Sequence, residues 1–152
     1  MEEPDGHLTT RVTVFMRHPR PGFHSIENAF RSVRQHLPDD IQIDLVELNQ
    51  PSRGIVPRLR NLWQARKSRG AINHITGDVH YLTLALPGTQ TILTIPDLRG
   101  VTVKTGPRRW ALEVFWYRLP VWQSSWVTTI SEFTAKELVE LFPWSRHKVR
   151  AI

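Results

Sequence analysis

The sequence predicts an α/β protein: one Rossmann-like, doubly wound, mainly parallel sheet with helices on both faces. Two observations carry this. Strand-like and helix-like patterns alternate from one end of the chain to the other, the arrangement that produces a parallel sheet covered by helices. The chain has 152 residues, 40% apolar and 22% charged, an ordinary globular composition with room for one domain.

The elements follow in order. Arg11 to Arg17 reads as the first strand, centred on Val12, Val14 and Phe15. A loop with Pro19, Pro21 and Gly22 leads to Ser25, a helix cap. Behind it Ile26, Ala29, Phe30, Val33 and Leu37 keep helical spacing. Ile41 to Leu48 alternates as the second strand. Pro57 suits the first turn of a helix reaching Arg69, with Leu59, Leu62 and Trp63 expected inward. Ala71 to Ile75 is a short third strand, and Thr76-Gly77-Asp78 turns it into a helix over Val79 to Leu86. Thr91 to Ile95 is the fourth strand. A glycine-containing loop from Asp97 to Pro107 precedes a helix from Arg108 to Leu119. The last unit is strand Trp126 to Ile130, helix Ala135 to Phe142 and strand Lys148 to Ile152. Thr134 and Glu137 have capping-box spacing there, with Phe133 and Leu138 as the hydrophobic staple. Residues 1–10 read as a flexible N-terminus and 11–152 as the domain.

The formal net charge of +6 points to an anionic partner: nucleic acid, a phosphorylated small molecule or anionic lipid. Cysteine is absent, which removes disulfide, thiolate and Cys-zinc chemistry. The opening Met1-Glu2-Glu3-Pro4-Asp5-Gly6 is acidic and polar, unlike a signal peptide. No apolar run approaches the roughly 18 residues that span a bilayer. These features lead us to expect a cytoplasmic protein, peripheral on the inner face of the membrane if it is membrane-attached.

In a doubly wound sheet ligands bind beyond the carboxyl ends of the strands. That rule selects His18 to Phe23, Thr76-Gly77-Asp78, Pro96-Asp97 and Ser131-Glu132. The first turn lacks G-x-G-x-x-G, so it is no dinucleotide fingerprint; Gly22 and Phe23 before a Ser-capped helix still offer backbone N–H groups to a phosphate or hydroxyl. His74, Thr76, Gly77 and Asp78 form a polar cluster suited to sugar hydroxyls. The bland alternatives are a satisfied core histidine and an N-cap aspartate. Asp97 is either a base or hydroxyl acceptor, or the holder of its own turn. Lys104 to Trp126 interleaves Arg108, Arg109 and Arg118 with Trp110, Trp116, Tyr117 and Trp122. It reads either as a helix buried on two sides or as an anion- and membrane-binding surface. No His/Asp/Glu set repeats a metal-ligand spacing, so no metal is expected. No nucleic-acid-binding motif is present, and basicity alone supports that partner.

Two blocks, Thr91-Ile92-Leu93-Thr94-Ile95-Pro96-Asp97-Leu98 and Trp126-Val127-Thr128-Thr129-Ile130-Ser131-Glu132-Phe133-Thr134, resemble the N-terminal, acceptor-side half of retaining GT-B-fold glycosyltransferases. The stretches Lys136-Glu137-Leu138 and Lys148-Val149-Arg150-Ala151-Ile152 continue the likeness. The resemblance implies a hexosyltransferase that moves a glycosyl unit from a nucleotide sugar to a hydroxyl acceptor, lipid-linked or polysaccharide. It also implies a C-terminal nucleotide-sugar domain, on the same chain or a separate subunit, without which this half is expected to be inactive. No tightly bound cofactor is implied beyond the nucleotide sugar as co-substrate. Catalytic contact would fall to Asp97, and substrate contact to Gly22, Phe23, His74, Thr76, Gly77, Asp78, Ser131 and Glu132. Many relatives place a His immediately before that Asp; here Pro96 stands in its place.

Overall fold

The computed structural model describes residues 9–19, 32–33, 35–98, 110 and 113–152. Six strands form one open sheet: β1 (Thr10–Met16), β2 (Ile41–Glu47), β3 (Ile72–Ile75), β4 (Thr91–Ile95), β5 (Trp126–Thr129) and β6 (Val149–Ala151). Their order is β2-β1-β3-β4-β5-β6, and every pairing is parallel. The expected Rossmann-like α/β class is therefore correct. The chain steps from β1 to β2 on one side, then crosses back past β1 to β3. That reversal is the topological switch point, and it opens the crevice at the β1 and β3 exits.

Side chains alternate across the sheet. One face sends Phe15, Ile75, Leu93, Ile95 and Val127 into the main core, where Leu82, Val121, Leu138 and Phe142 meet them. These come from the elements covering that face: helix α1 (Ile55–Lys67), the 3₁₀ segment His80–Ala85, helix α2 (Leu119–Gln123) and helix α3 (Glu132–Leu141). The opposite face holds a smaller cluster of Val14, Met16 and Ile43, with Leu37 against it. On that face His74 Nε2 lies 2.7 Å from Thr94 Oγ1, which lies 2.7 Å from Thr128 Oγ1. This polar ladder joins β3, β4 and β5.

Several expected elements are corrected. The helix placed at Pro57–Arg69 begins at Ile55 and ends at Lys67. Its Leu59 and Trp63 face outward, 57% and 62% exposed, while Asn61 and Ala65 are fully buried. Ala65 and Leu62 pack on the main core, while the part of the inward face beside them is polar because it must hold the β2 exit loop. Asn61 and Gln64 pair with that loop as a neighbouring backbone would: Asn61 bonds both N–H and C=O of Gln50, and Gln64 bonds the Asn49 N–H and Glu47 C=O.

The helix expected over Val79–Leu86 is 3₁₀ from His80 to Ala85. The helix expected to end at Leu119 continues through Pro120 to Gln123, after a π-helical stretch from Glu113 to Arg118. Proline inside a helix has no N–H for the carbonyl four residues earlier. That carbonyl, on Trp116, is satisfied instead by His80 Nδ1 at 3.0 Å.

Helix α3 starts three residues before the expected position. Its cap is Ser131, whose Oγ accepts the Thr134 N–H at 3.2 Å. Phe133 is 70% exposed, so no staple forms with the buried Leu138. The helix expected behind Ser25 lies mostly outside the described residues.

Candidate functional site at the strand exits

Hydrogen bonds between neighbouring exits build the carboxyl edge of the sheet. Both the N–H and the hydroxyl of Thr76 donate to the Phe15 carbonyl, each at 3.0 Å, which fastens the β3 exit to β1. His18 Nδ1 lies 3.0 Å from the Leu48 carbonyl, tying β1 to β2. At the other side Thr134 donates its hydroxyl to the Pro96 carbonyl at 3.5 Å, so the first turn of α3 reaches the β4 exit.

Gly77 follows Thr76 with φ of 72°, a left-handed conformation that a side chain strains. The chain reverses there and leaves Asp78 exposed. The expected capping role for Asp78 is absent: the 3₁₀ segment has Val79 at its cap position and no side-chain capping bond. Asp97 is also exposed at the β4 exit.

The two carboxylates act on the same neighbours. Tyr117, buried, is pushed up to about 12, by desolvation first and then by the charges of Asp97 and Asp78. Its hydroxyl donates to the Asp97 carbonyl at 3.5 Å. His80 is 2% exposed, and burial pulls its pKa down. The Trp116 carbonyl, the charges of Asp78 and Asp97 and the Gly77 carbonyl pull it the other way. With Nδ1 donating to Trp116, the Nε2 lone pair of His80 is buried without a hydrogen-bond partner among the described residues. Its ring meets Tyr117 edge-on, centroids 5.4 Å apart.

Thr76, Gly77, Asp78, Asp97, Ser131 and Glu132 thus belong to one edge of the sheet. Gly22 and Phe23 lie outside the described residues. His74 is not at the edge. It sits within β3, bonded to Thr94, and burial depresses its pKa to about 4; it is neutral at pH 7 and serves the polar ladder. The edge also includes His80 and Tyr117, which sequence reasoning missed. The signal for His80 was Pro120, because a proline there strands the Trp116 carbonyl and requires a donor from elsewhere.

The aromatic segment divides. Trp116 is half-buried against the core, with the Arg58 guanidinium 5.0 Å from its ring and Tyr81 5.5 Å away. Arg118 is exposed and joins Trp110, Val114, Leu119, Trp122 and Trp144 around a groove of about 700 Å³. In an α-helix, positions four apart drift by about 40° per step. The wider π turns at 113–118 reduce that drift, so 110, 114, 118 and 122 line one groove. Arg108 and Arg109 lie outside the described residues.

Among the described residues no group of three His, Cys, Asp or Glu could hold a metal ion. None of their helices is long and apolar enough to cross a membrane. What the edge offers chemically is a pair of carboxylates, backbone amides and small hydroxyls on a rigid wall, a set that accepts hydrogen bonds from hydroxyl-rich ligands. No protein-family model matches this chain, and no curated protein matches it either.

Proposed function

We propose that this edge is the acceptor-side wall of a retaining, GT-B-type glycosyltransferase that passes a hexosyl unit from a nucleotide sugar to a hydroxyl acceptor, lipid-linked or polysaccharide. The observation that carries the reading is the paired exposure of Asp78 and Asp97 at the β3 and β4 exits, beside the switch point of an all-parallel sheet. Ionised carboxylates only accept hydrogen bonds, and a sugar hydroxyl supplies the donors. Thr76 and Gly77 hold Asp78 in place, while Tyr117 and Thr134 brace the Asp97 segment. In this reading Asp97 takes the acceptor hydroxyl, and a second, nucleotide-sugar-binding half supplies the donor and stabilises its diphosphate. Pro96 has no proton to transfer, so proton chemistry falls to Asp97 or to the other half. The protein works at the cytoplasmic face of a membrane when the acceptor is lipid-linked.

The test joins two measurements. Glycosides titrated into labelled protein shift the amide resonances of Thr76–Asp78 and Asp97. Co-expression with a nucleotide-sugar-binding half gives sugar transfer that Asp97→Asn and Asp78→Asn abolish. Absence of both shifts and transfer across a panel of glycosides and nucleotide sugars rejects the proposal.

A second reading is a non-catalytic module that holds a partner subunit or an anionic membrane surface. The outward Ile55, Leu59 and Trp63 of α1 favour it. It predicts binding without sugar transfer in any reconstituted pair.

A further inference from the structure

Helix α1 is built inside out. Its buried positions are an asparagine and an alanine, and its outer face carries Ile55, Val56, Leu59 and Trp63, exposed by 76%, 58%, 57% and 62%. Positions 55, 59, 63 and 67 succeed one another at four-residue spacing, with 56 and 60 beside them, so they share one stripe. The stripe changes character along its length. Its first two turns are aliphatic, and its last two carry Trp63, Arg60, Arg66 and Lys67.

Charge is equally one-sided. Between Arg53 and Arg69 every ionisable side chain is a cation: Arg53, Arg58, Arg60, Arg66, Lys67 and Arg69. Arg58 turns inward over Tyr81 and Trp116. Arg60 and Lys67 stay outside, with no ion pair to a described carboxylate. Beside them lies a hollow of about 390 Å³, lined by Arg60, Trp63 and Lys67 on the helix and by Asn49 and Gln50 on the loop. The loop wall is rigid because Asn61 and Gln64 clamp its backbone. Lys67 Nζ stands 3.7 Å from the centroid of the Trp63 ring, so the cation and the aromatic face are presented together.

An exposed apolar stripe alone does not name its occupant; the adjoining hollow does. A phosphate diester fits two unpaired cations, and the aliphatic turns beside it fit the acyl chains such a diester carries. A free sugar phosphate would leave Ile55, Val56 and Leu59 in water, and a glycan would find no carboxylate in the hollow. We propose that α1 is an interfacial helix that docks this protein on an anionic phospholipid bilayer. One lipid phosphate seats between Arg60 and Lys67, Trp63 lies at headgroup depth, and Ile55, Val56 and Leu59 enter the acyl boundary. The inference rests on the second, membrane reading above and is independent of the glycosyltransferase one: docking can hold where sugar transfer fails, and the reverse.

The experiment is vesicle flotation with the full chain, using phosphatidylcholine alone or mixed with phosphatidylglycerol, at low and high salt. Binding is expected only with phosphatidylglycerol and weakens with salt. Arg60→Gln with Lys67→Gln lowers it by roughly tenfold or more, and Leu59→Ser with Trp63→Ser lowers it at least as far. Trp110→Ser with Trp122→Ser, in the other aromatic groove, leaves it unchanged. All of these side chains are exposed, and matching thermal melts confirm that each variant is folded. Equal binding to pure phosphatidylcholine, no binding at low salt, or loss through the Trp110/Trp122 pair instead overturns the proposal. So does inorganic phosphate shifting the Arg60 and Lys67 resonances while vesicles do not, since the hollow then serves a free anion. A dimer by light scattering that Leu59→Ser dissociates also overturns it, because the stripe then faces a second copy.

Discussion

Helices α1 and α3 flank the same sheet, and both reach the main core, but only α1 also buries an amide. Helix α3 follows the familiar arrangement: Leu138 is fully buried, Phe142 closes the core behind it, and Ser131 caps the first turn. Helix α1 buries Asn61 and sends Leu59 and Trp63 outward. The difference lies in what each helix has to hold. Helix α3 covers Val127 and Val149, which need apolar contact. Helix α1 stands beside the β2 exit loop, whose N–H and C=O groups need partners once they leave water. A helix beside a strand supplies apolar side chains, whereas one beside a loop also supplies amides.

The largest effect expected from this contrast is at Leu138. Leu138→Ala leaves a cavity in the main core and costs about 3 kcal/mol, read as a lower urea midpoint at unchanged slope. A cost below about 1 kcal/mol would mean that α3 is not packed as described.

Acidification acts on the sheet rather than on either helix, and it sets the pH at which the helices are best compared. The folded pKa of His74 is lowered from 6.5 to about 4 by burial. On acidification the unfolded chain therefore takes up the proton first. The stability that neutral His74 allows is fully present above pH 6.5 and is lost as pH falls toward 4, by at most about 3 kcal/mol. His80 is shifted in the same direction and adds to the fall. Urea midpoints across this range should drop less steeply in His74→Gln; an unchanged slope would remove His74 from the account.

Asn61 comes next. Asn61→Ala strands the Gln50 backbone groups and removes a donor from the Tyr81 hydroxyl. The cost is about 2 kcal/mol, since buried polar groups lose their partners. Amide exchange should quicken at Asn49 and Gln50 and not at α3. Unfolding of both regions together would show that the loop clamp is part of the global core.

The smallest effect belongs to Leu59. Leu59→Ala in dilute aqueous solution changes stability by less than about 0.5 kcal/mol, because the side chain is already in water. A loss comparable to that of Leu138→Ala would make α1 an ordinary amphipathic helix and remove the contrast.

Much of the fold was legible from local pattern. All six strands fall within two residues of their expected places, because short β-rich runs bounded by Pro and Gly carry a period that nearby residues reveal. The carboxyl edge of the sheet was legible too, since alternation of strands and helices implies where those ends gather. Helical phase was less accessible. Leu62 does pack against the core, but Leu59 and Trp63 looked inward with it because apolar spacing marks an amphipathic helix without saying which neighbour it meets. Ser131 was passed over as a cap in favour of Thr134, as both have the chemistry and only the backbone decides between them.

Sequence alone determined the α/β class, the number of strands, the net positive charge and the absence of cysteine, because each depends on residue type and short-range period. Tertiary structure decided that His74 belongs to a cross-strand ladder, that His80 serves the carbonyl Pro120 leaves bare, and that α1 turns its apolar stripe to solvent. Those outcomes depend on contacts between segments far apart in the chain. A buried donor or acceptor takes whichever partner the packed chain brings within about 3 Å, and no local spacing records that choice.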